Sequence, residues 1–171
     1  VVVIYDKLEK NLFIARDRAG KKPLYIFNDG SKIVFASELN CLKSLLPLEM
    51  DKANFFHYTR MGTFYRKLTP YKNVTELTAG TFFKIGCSNL HCTEKKYWDI
   101  HGFYKTRHSD SQEESLHKVD TFLRQAVKRR IESSDLEVGC FLSGGIDSGL
   151  VTAIASEYNS RLRTFTVSFN G

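Results

Sequence analysis

The chain has 171 residues, 42% of them hydrophobic and 26% charged, with a formal net charge of +6 at pH 7. That is enough apolar content to bury a core, which excludes a disordered chain, and the length suits one domain or two small ones. The longest apolar runs, residues 1–5 and 150–155, fall far short of the roughly 20 residues a spanning helix needs, and the scattered Lys and Arg form no stripe of the kind that grips nucleic acid.

Four short segments open the chain, residues 1–6, 12–16, 24–28 and 33–36, each rich in β-branched or aromatic side chains. Turn residues such as Asn28-Asp29-Gly30-Ser31 separate them, so they read as an antiparallel meander. From residue 37 to 46 the pattern becomes helical, with Leu39, Leu42, Leu45 and Leu46 near the 3.6-residue period and Pro47 as a stop. A second helix is expected over 51–61. Residues 62–80 hold aromatics and Pro70 without a clean period and read as loop. Segments 81–85 and 95–98 read as one more strand pair, and the polar stretch 101–111 as a linker.

The second half follows a different pattern. Ser111 with Glu114 forms the signature of a capping box. Behind it Leu116, Val119, Leu123, Ala126, Val127 and Ile131 recur on one helical face, read as core, while Lys128, Arg129 and Arg130 suit the negative end of the helix dipole as a solvated surface. Residues 138–142 then read as an apolar strand, 143–147 as a turn and 147–158 as a helix with Leu150, Val151, Ile154 and Ala155 inward. With another strand over 162–169 this makes a βαβ unit, which implies a parallel sheet.

The chemistry gathers at Ser143-Gly144-Gly145-Ile146-Asp147-Ser148, between the strand and the helix. The first N–H groups of a helix lack internal partners and the dipole adds positive charge, so this bend favours phosphate. Gly144 and Gly145 are expected to take positive φ and form a nest of N–H donors, with Ser143 and Ser148 adding hydroxyls. Asp147 would repel phosphate unless a divalent cation bridges them, so it reads as a magnesium contact or a cap on the loop. The GxxxxGK[ST] spacing of a Walker loop is absent.

The stretch resembles the SGGxDS PP-loop of ATP pyrophosphatases, which split ATP between its α and β phosphates. Several families share that loop; the first half of the chain distinguishes among them. Phe13-Ile14-Ala15-Arg16-Asp17-Arg18-Ala19-Gly20-Lys21-Lys22-Pro23-Leu24-Tyr25 and Phe35-Ala36-Ser37-Glu38 resemble the ARDRxGxKPLY and FASE segments of class II glutamine amidotransferases of the asparagine synthetase type. Ala79-Gly80-Thr81, Tyr97-Trp98-Asp99, Arg129-Arg130 and Val138-Gly139 are similar to further segments of that family. Ala19 and Gly149 are minor departures from it.

The resemblance implies an α+β part over 1–100, the end of a class II glutaminase antiparallel β domain. A linker over 101–115 and the start of an α/β PP-loop domain with a parallel sheet over 116–171 would follow. It implies a ligase that adenylates aspartate with MgATP and amidates it with ammonia from glutamine, so glutamine, aspartate and ATP are the expected partners, with ATP and Mg as cofactors. Leu142 and Val167 carry over as lining the adenine side, Ser143, Gly144, Gly145, Asp147 and Ser148 as pyrophosphate contacts, and Asp147 as a magnesium ligand. Arg16, Asp17 and Arg18 are expected to form structural ion pairs near the domain interface.

No catalytic residue is expected in this stretch. The family's nucleophile is a cysteine at the chain's first residue, whereas Cys41, Cys87, Cys92 and Cys140 are internal and lack a free α-amino group as base. The second magnesium carboxylate and a catalytic lysine are expected beyond Gly171, and the true start upstream of Val1. The segment alone is therefore expected to be inactive. The cysteine spacing offers neither a disulfide framework nor a zinc site, and suits a cytoplasmic protein. No nucleic-acid or membrane partner is expected, and a homodimer is the oligomer to test. Two alternatives stay open: a related amidotransferase acting on another carboxylate, and a non-catalytic RNA-binding module.

Overall fold

The chain divides into two compact units near residue 106; the computed structural model describes residues 1–106 and 108–168. In the N-terminal unit, Val1–Thr106, strands β1 (Val2–Asp6) and β2 (Asn11–Ala15) form a hairpin, and β3 (Tyr25–Asn28) and β4 (Ile33–Ala36) form another. The Asp6 carboxylate accepts the N–H groups of Leu8 and Glu9 at the first turn. Asp29 accepts those of Ser31 and Lys32 at the second, and the bonds from Ser31 hold its carboxyl below the usual range.

The two hairpins do not join into a meander. Helices α1 (Leu39–Leu45) and α2 (Lys52–Met61) follow, then strands β5 (Val74–Glu76), β6 (Thr81–Gly86) and β7 (Cys92–Lys96). One sheet runs β1-β2-β6-β7 and the other β4-β3-β5, all neighbours antiparallel. The free edge of β2 is taken by β6, with Asn11 opposite Gly86, and that of β3 by β5, with Tyr25 opposite Glu76. β5 lies in the stretch read as loop. The expected strand over 95–98 is also shifted: the β6–β7 turn closes at His91, and Tyr97 and Trp98 leave the ladder to donate to the Gly80 carbonyl at 2.8 and 3.1 Å.

Two apolar clusters fill this unit. Ile14, Leu24, Ile26, Leu77 and Ile85 make one, and Phe27, Leu42, Leu46 and Val74 the other. α1 contributes Leu42, fully buried, and ends before Pro47. Asp51 caps α2 by accepting the Asn54 N–H at 3.0 Å. The stretch read as linker begins instead with a short helix, α3 (Ile100–Tyr104), because Asp99 caps it by accepting the His101 N–H.

The second unit contains α4 (Gln112–Glu132), β8 (Gly139–Phe141), α5 (Ile146–Tyr158) and β9 (Arg163–Phe165). Its capping box is complete: the Ser111 hydroxyl accepts the Glu114 N–H and the Glu114 carboxylate accepts the Ser111 N–H. β8 and β9 pair in parallel through the α5 crossover. Position 169 of the expected last strand lies outside the described residues.

The apolar face of α4 is core only in part. Val127 is buried with Ile154 and Ala155, and Leu123 and Ile131 pack against them, but Leu116 and Val119 are 63% and 61% exposed. A helix of 21 residues extends about 30 Å and one of 13 about 20 Å, so α5 cannot cover the whole stripe. On α5, Leu150 and Val151 are likewise more exposed than expected. Lys128 pairs with Glu132 one turn on, at the surface.

Candidate functional site

β8 delivers the chain to the bend and β9 lies beside it. The Leu142 N–H donates to the Phe165 carbonyl at 2.9 Å, one step past the ladder, so the strand ends stay together where the loop begins. Leu142 is half-buried and Val167 is 72% exposed. Gly144 sits at φ +80°, and a Cβ built on it would meet no atom within 4 Å. The space above the loop is open.

Gly145 departs from the expected nest. It is the N-cap of α5 with extended geometry, φ −80° and ψ 160°, so only Gly144 supplies the left-handed turn. The reason is positional: an N-cap residue has β-region dihedrals while its carbonyl already accepts the first helical bond, here from the Gly149 N–H at 3.0 Å. Gly144 through Ser148 present five consecutive N–H groups with no partner among the described residues.

The two hydroxyls close the loop on itself. Ser148 Oγ donates to the Gly145 carbonyl at 3.1 Å and accepts the Ser143 N–H at 3.2 Å, and the Ser143 and Ser148 oxygens lie 2.9 Å apart. With its proton given to Gly145, Ser148 must accept from Ser143. Both hydroxyl protons are thus engaged within the loop, and the free donors are backbone.

Asp147 lies in the first turn of α5 and, among the described residues, its carboxylate accepts no hydrogen bond and joins no ion pair, so it caps nothing. One free carboxylate beside an anion cradle fits magnesium, which is commonly held by one or two carboxylates together with substrate phosphates and water. No group of three or more metal-ligating side chains occurs among the described residues. Thr166, outside the expected set, donates its hydroxyl to the Leu142 carbonyl at 2.8 Å. The signal that could have found it is a hydroxyl residue at the carboxyl end of a strand parallel to β8.

In the first unit Arg16, 9% exposed, is the centre of the ARDRxGxKPLY segment. Its guanidinium bonds to Glu76 at 2.7 Å, the Gly20 and Lys22 carbonyls at 2.9 Å each, and the Leu77 carbonyl. Asp17 makes no ion pair among the described residues: it closes a turn by accepting the Lys21 and Ala19 N–H groups, chiefly that of Lys21, which holds its carboxyl below the usual range. Arg18 joins no ion pair among those residues either, so of the triplet only Arg16 forms one. An open cavity of about 1020 Å³ lies nearby, but its charges are largely consumed, Lys67 by Glu94 and Lys96 by Asp99.

Residues 1–98 match the glutamine amidotransferase domain family, and residues 118–171 match the asparagine synthase family. The chain belongs to the asparagine synthetase family. Among its relatives, asparagine synthetase [glutamine-hydrolyzing] 2 of Bacillus subtilis is 32% identical over 97% of the chain and 23% of its own length. Asparagine synthetase [glutamine-hydrolyzing] 1 of the same organism is 32% identical over 98% of the chain and 26% of its own length. A Mycobacterium tuberculosis protein provisionally named for the same activity is 32% identical over 97% of the chain and 26% of its own length. The chain therefore spans about a quarter of the length of these relatives.

The four cysteines of the chain are free, and burial raises the Cys92 thiol above its ordinary value. No helix among the described residues is long and apolar enough to cross a membrane.

Proposed function

We propose that the protein carrying this chain is a glutamine-hydrolysing asparagine synthetase. In this reading residues 1–100 are the later part of the glutaminase domain, 101–115 a linker, and 116–171 the start of the PP-loop synthetase domain. The observation that carries it is the row of five unpartnered N–H groups at the head of α5, which begins with that of the left-handed Gly144. Such a row of donors, with the helix dipole behind it, suits the pyrophosphate part of a nucleotide.

Each residue then has a role. The N–H groups of Gly144, Gly145 and the first turn of α5 hold the phosphates, and Ser143 and Ser148 turn their hydroxyls from each other to the anion. Asp147 would hold a magnesium ion, which would supply positive charge to offset that of the phosphates. The strand ends at Leu142 and Val167 flank the adenine. A carboxylate is a poor acyl donor; transferring AMP to aspartate gives its carbonyl a leaving group that ammonia can displace. We place this activity in the cytoplasm, where the free thiols stay reduced.

The test is aspartate labelled with ¹⁸O in its carboxylates, given to the complete protein with MgATP and glutamine. The reading expects one labelled oxygen in the AMP released, with pyrophosphate formed in step with asparagine. ADP and phosphate as products would overturn it, and release of AMP only with another carboxylate would move the acceptor while keeping the loop.

A further inference from the structure

A parallel pair advances by a fixed pattern. A residue whose N–H reaches a carbonyl on the neighbouring strand receives, on its own carbonyl, the N–H two residues further along that neighbour. Leu142 donates to the Phe165 carbonyl, so the next rung would run from the Val167 N–H to the Leu142 carbonyl. Among the described residues that rung is not made. The Leu142 carbonyl is taken instead by the Thr166 hydroxyl at 2.8 Å.

The side chain therefore stands in for a main-chain donor. A buried or half-buried carbonyl needs a partner, and here the partner comes from the residue before the one the ladder would supply. The consequence falls on Val167: its N–H has no partner among the described residues, at a strand end open to solvent beside the candidate loop.

We propose that Thr166 is a positioning residue for nucleotide binding: its hydroxyl ends the β8–β9 ladder one rung early and leaves the Val167 N–H free for an acceptor atom of a purine base. The inference rests on the nucleotide reading of the loop. Thr166 itself touches no ligand in this account; it acts by occupying the Leu142 carbonyl, and any hydroxyl that reaches that oxygen serves.

The experiment compares wild type, Thr166→Ser and Thr166→Val in the complete protein, by ATP-dependent pyrophosphate release and by hydrogen exchange at the Val167 amide without nucleotide. Thr166→Ser should match wild type. Thr166→Val should raise the KM for ATP up to about tenfold, the range of one hydrogen bond, with kcat little changed, and should slow Val167 exchange as the backbone rung forms. The proposal is overturned if Thr166→Val leaves both the KM and the exchange unchanged, if Thr166→Ser behaves like Thr166→Val, or if the wild-type Val167 amide is already protected without nucleotide. Wild type that binds no ATP would break the nucleotide reading instead, and the exchange comparison would still decide whether the hydroxyl replaces the rung.

Discussion

The two units of this chain solve the burial problem to different degrees. In the N-terminal unit two antiparallel sheets and α1 close over Ile14, Leu24, Leu42, Leu77 and Ile85, and the one strongly buried cation, Arg16, has four acceptors. Among the described residues of the second unit only Val127, Ile154 and Ala155 are buried hydrophobics, while Phe122, Phe141 and Ile146 are exposed. The difference separates what local sequence does from what packing does. A capping box and apolar periodicity mark α4, which packs on α5 over a small cluster, whereas the first unit is held by contacts between distant strands.

That contrast makes graded predictions, each readable by chemical denaturation. Leu42→Ala should cost about 2–5 kcal/mol, the range for emptying a closed core, whereas Leu116→Ala on the exposed stretch of α4 should stay within about 0.5 kcal/mol. Equal losses at the two positions would break the comparison. Arg16→Ala should cost about 3 kcal/mol, because it leaves Glu76 and three carbonyl contacts without their buried partner. Gly80→Ala should follow at about 1–3 kcal/mol, since Gly80 has φ +68° and a Cβ there would stand 2.6 Å from the Trp98 carbonyl oxygen.

A smaller loss than those in the first unit sharpens the second. Ser111→Ala should cost about 1 kcal/mol by removing the cap of α4. The pH dependence has a definite sign. Bonds from the Ser111 N–H, and then its side chain, hold the Glu114 carboxyl below its ordinary 4.5, so its contribution is fully present above pH 4.5 and lost as pH falls through the lowered folded value. Helical circular dichroism should report that loss on acidification, and Glu114→Gln should flatten it.

The same contrast explains what could be read in advance. Strand positions were legible because β-branched and aromatic residues cluster between turn residues, and the α4 cap because both partners sit within one turn. The sheet pairings were not, since β2 meets β6 across some seventy residues, and nothing local to Val74–Glu76 marks three residues as the partner of β3. Periodicity marked the apolar face of α4 but carries no information on how far a shorter helix covers it. At the loop, the bend and its Gly144 were legible from the strand–Gly-Gly–helix order. The extended Gly145, the Ser143–Ser148 bond and the Thr166 contact depend on how strand ends and cap meet in space, which spacing does not encode.

The most direct test of the account is hydrogen exchange at the amides of residues 144–148 in the complete protein, with and without MgATP. The account predicts rapid exchange in the free protein and strong protection with MgATP, reduced when Asp147→Asn removes the magnesium contact. Amides 144–148 that exchange equally fast with saturating MgATP, while nucleotide protects some other part of the molecule, would contradict it.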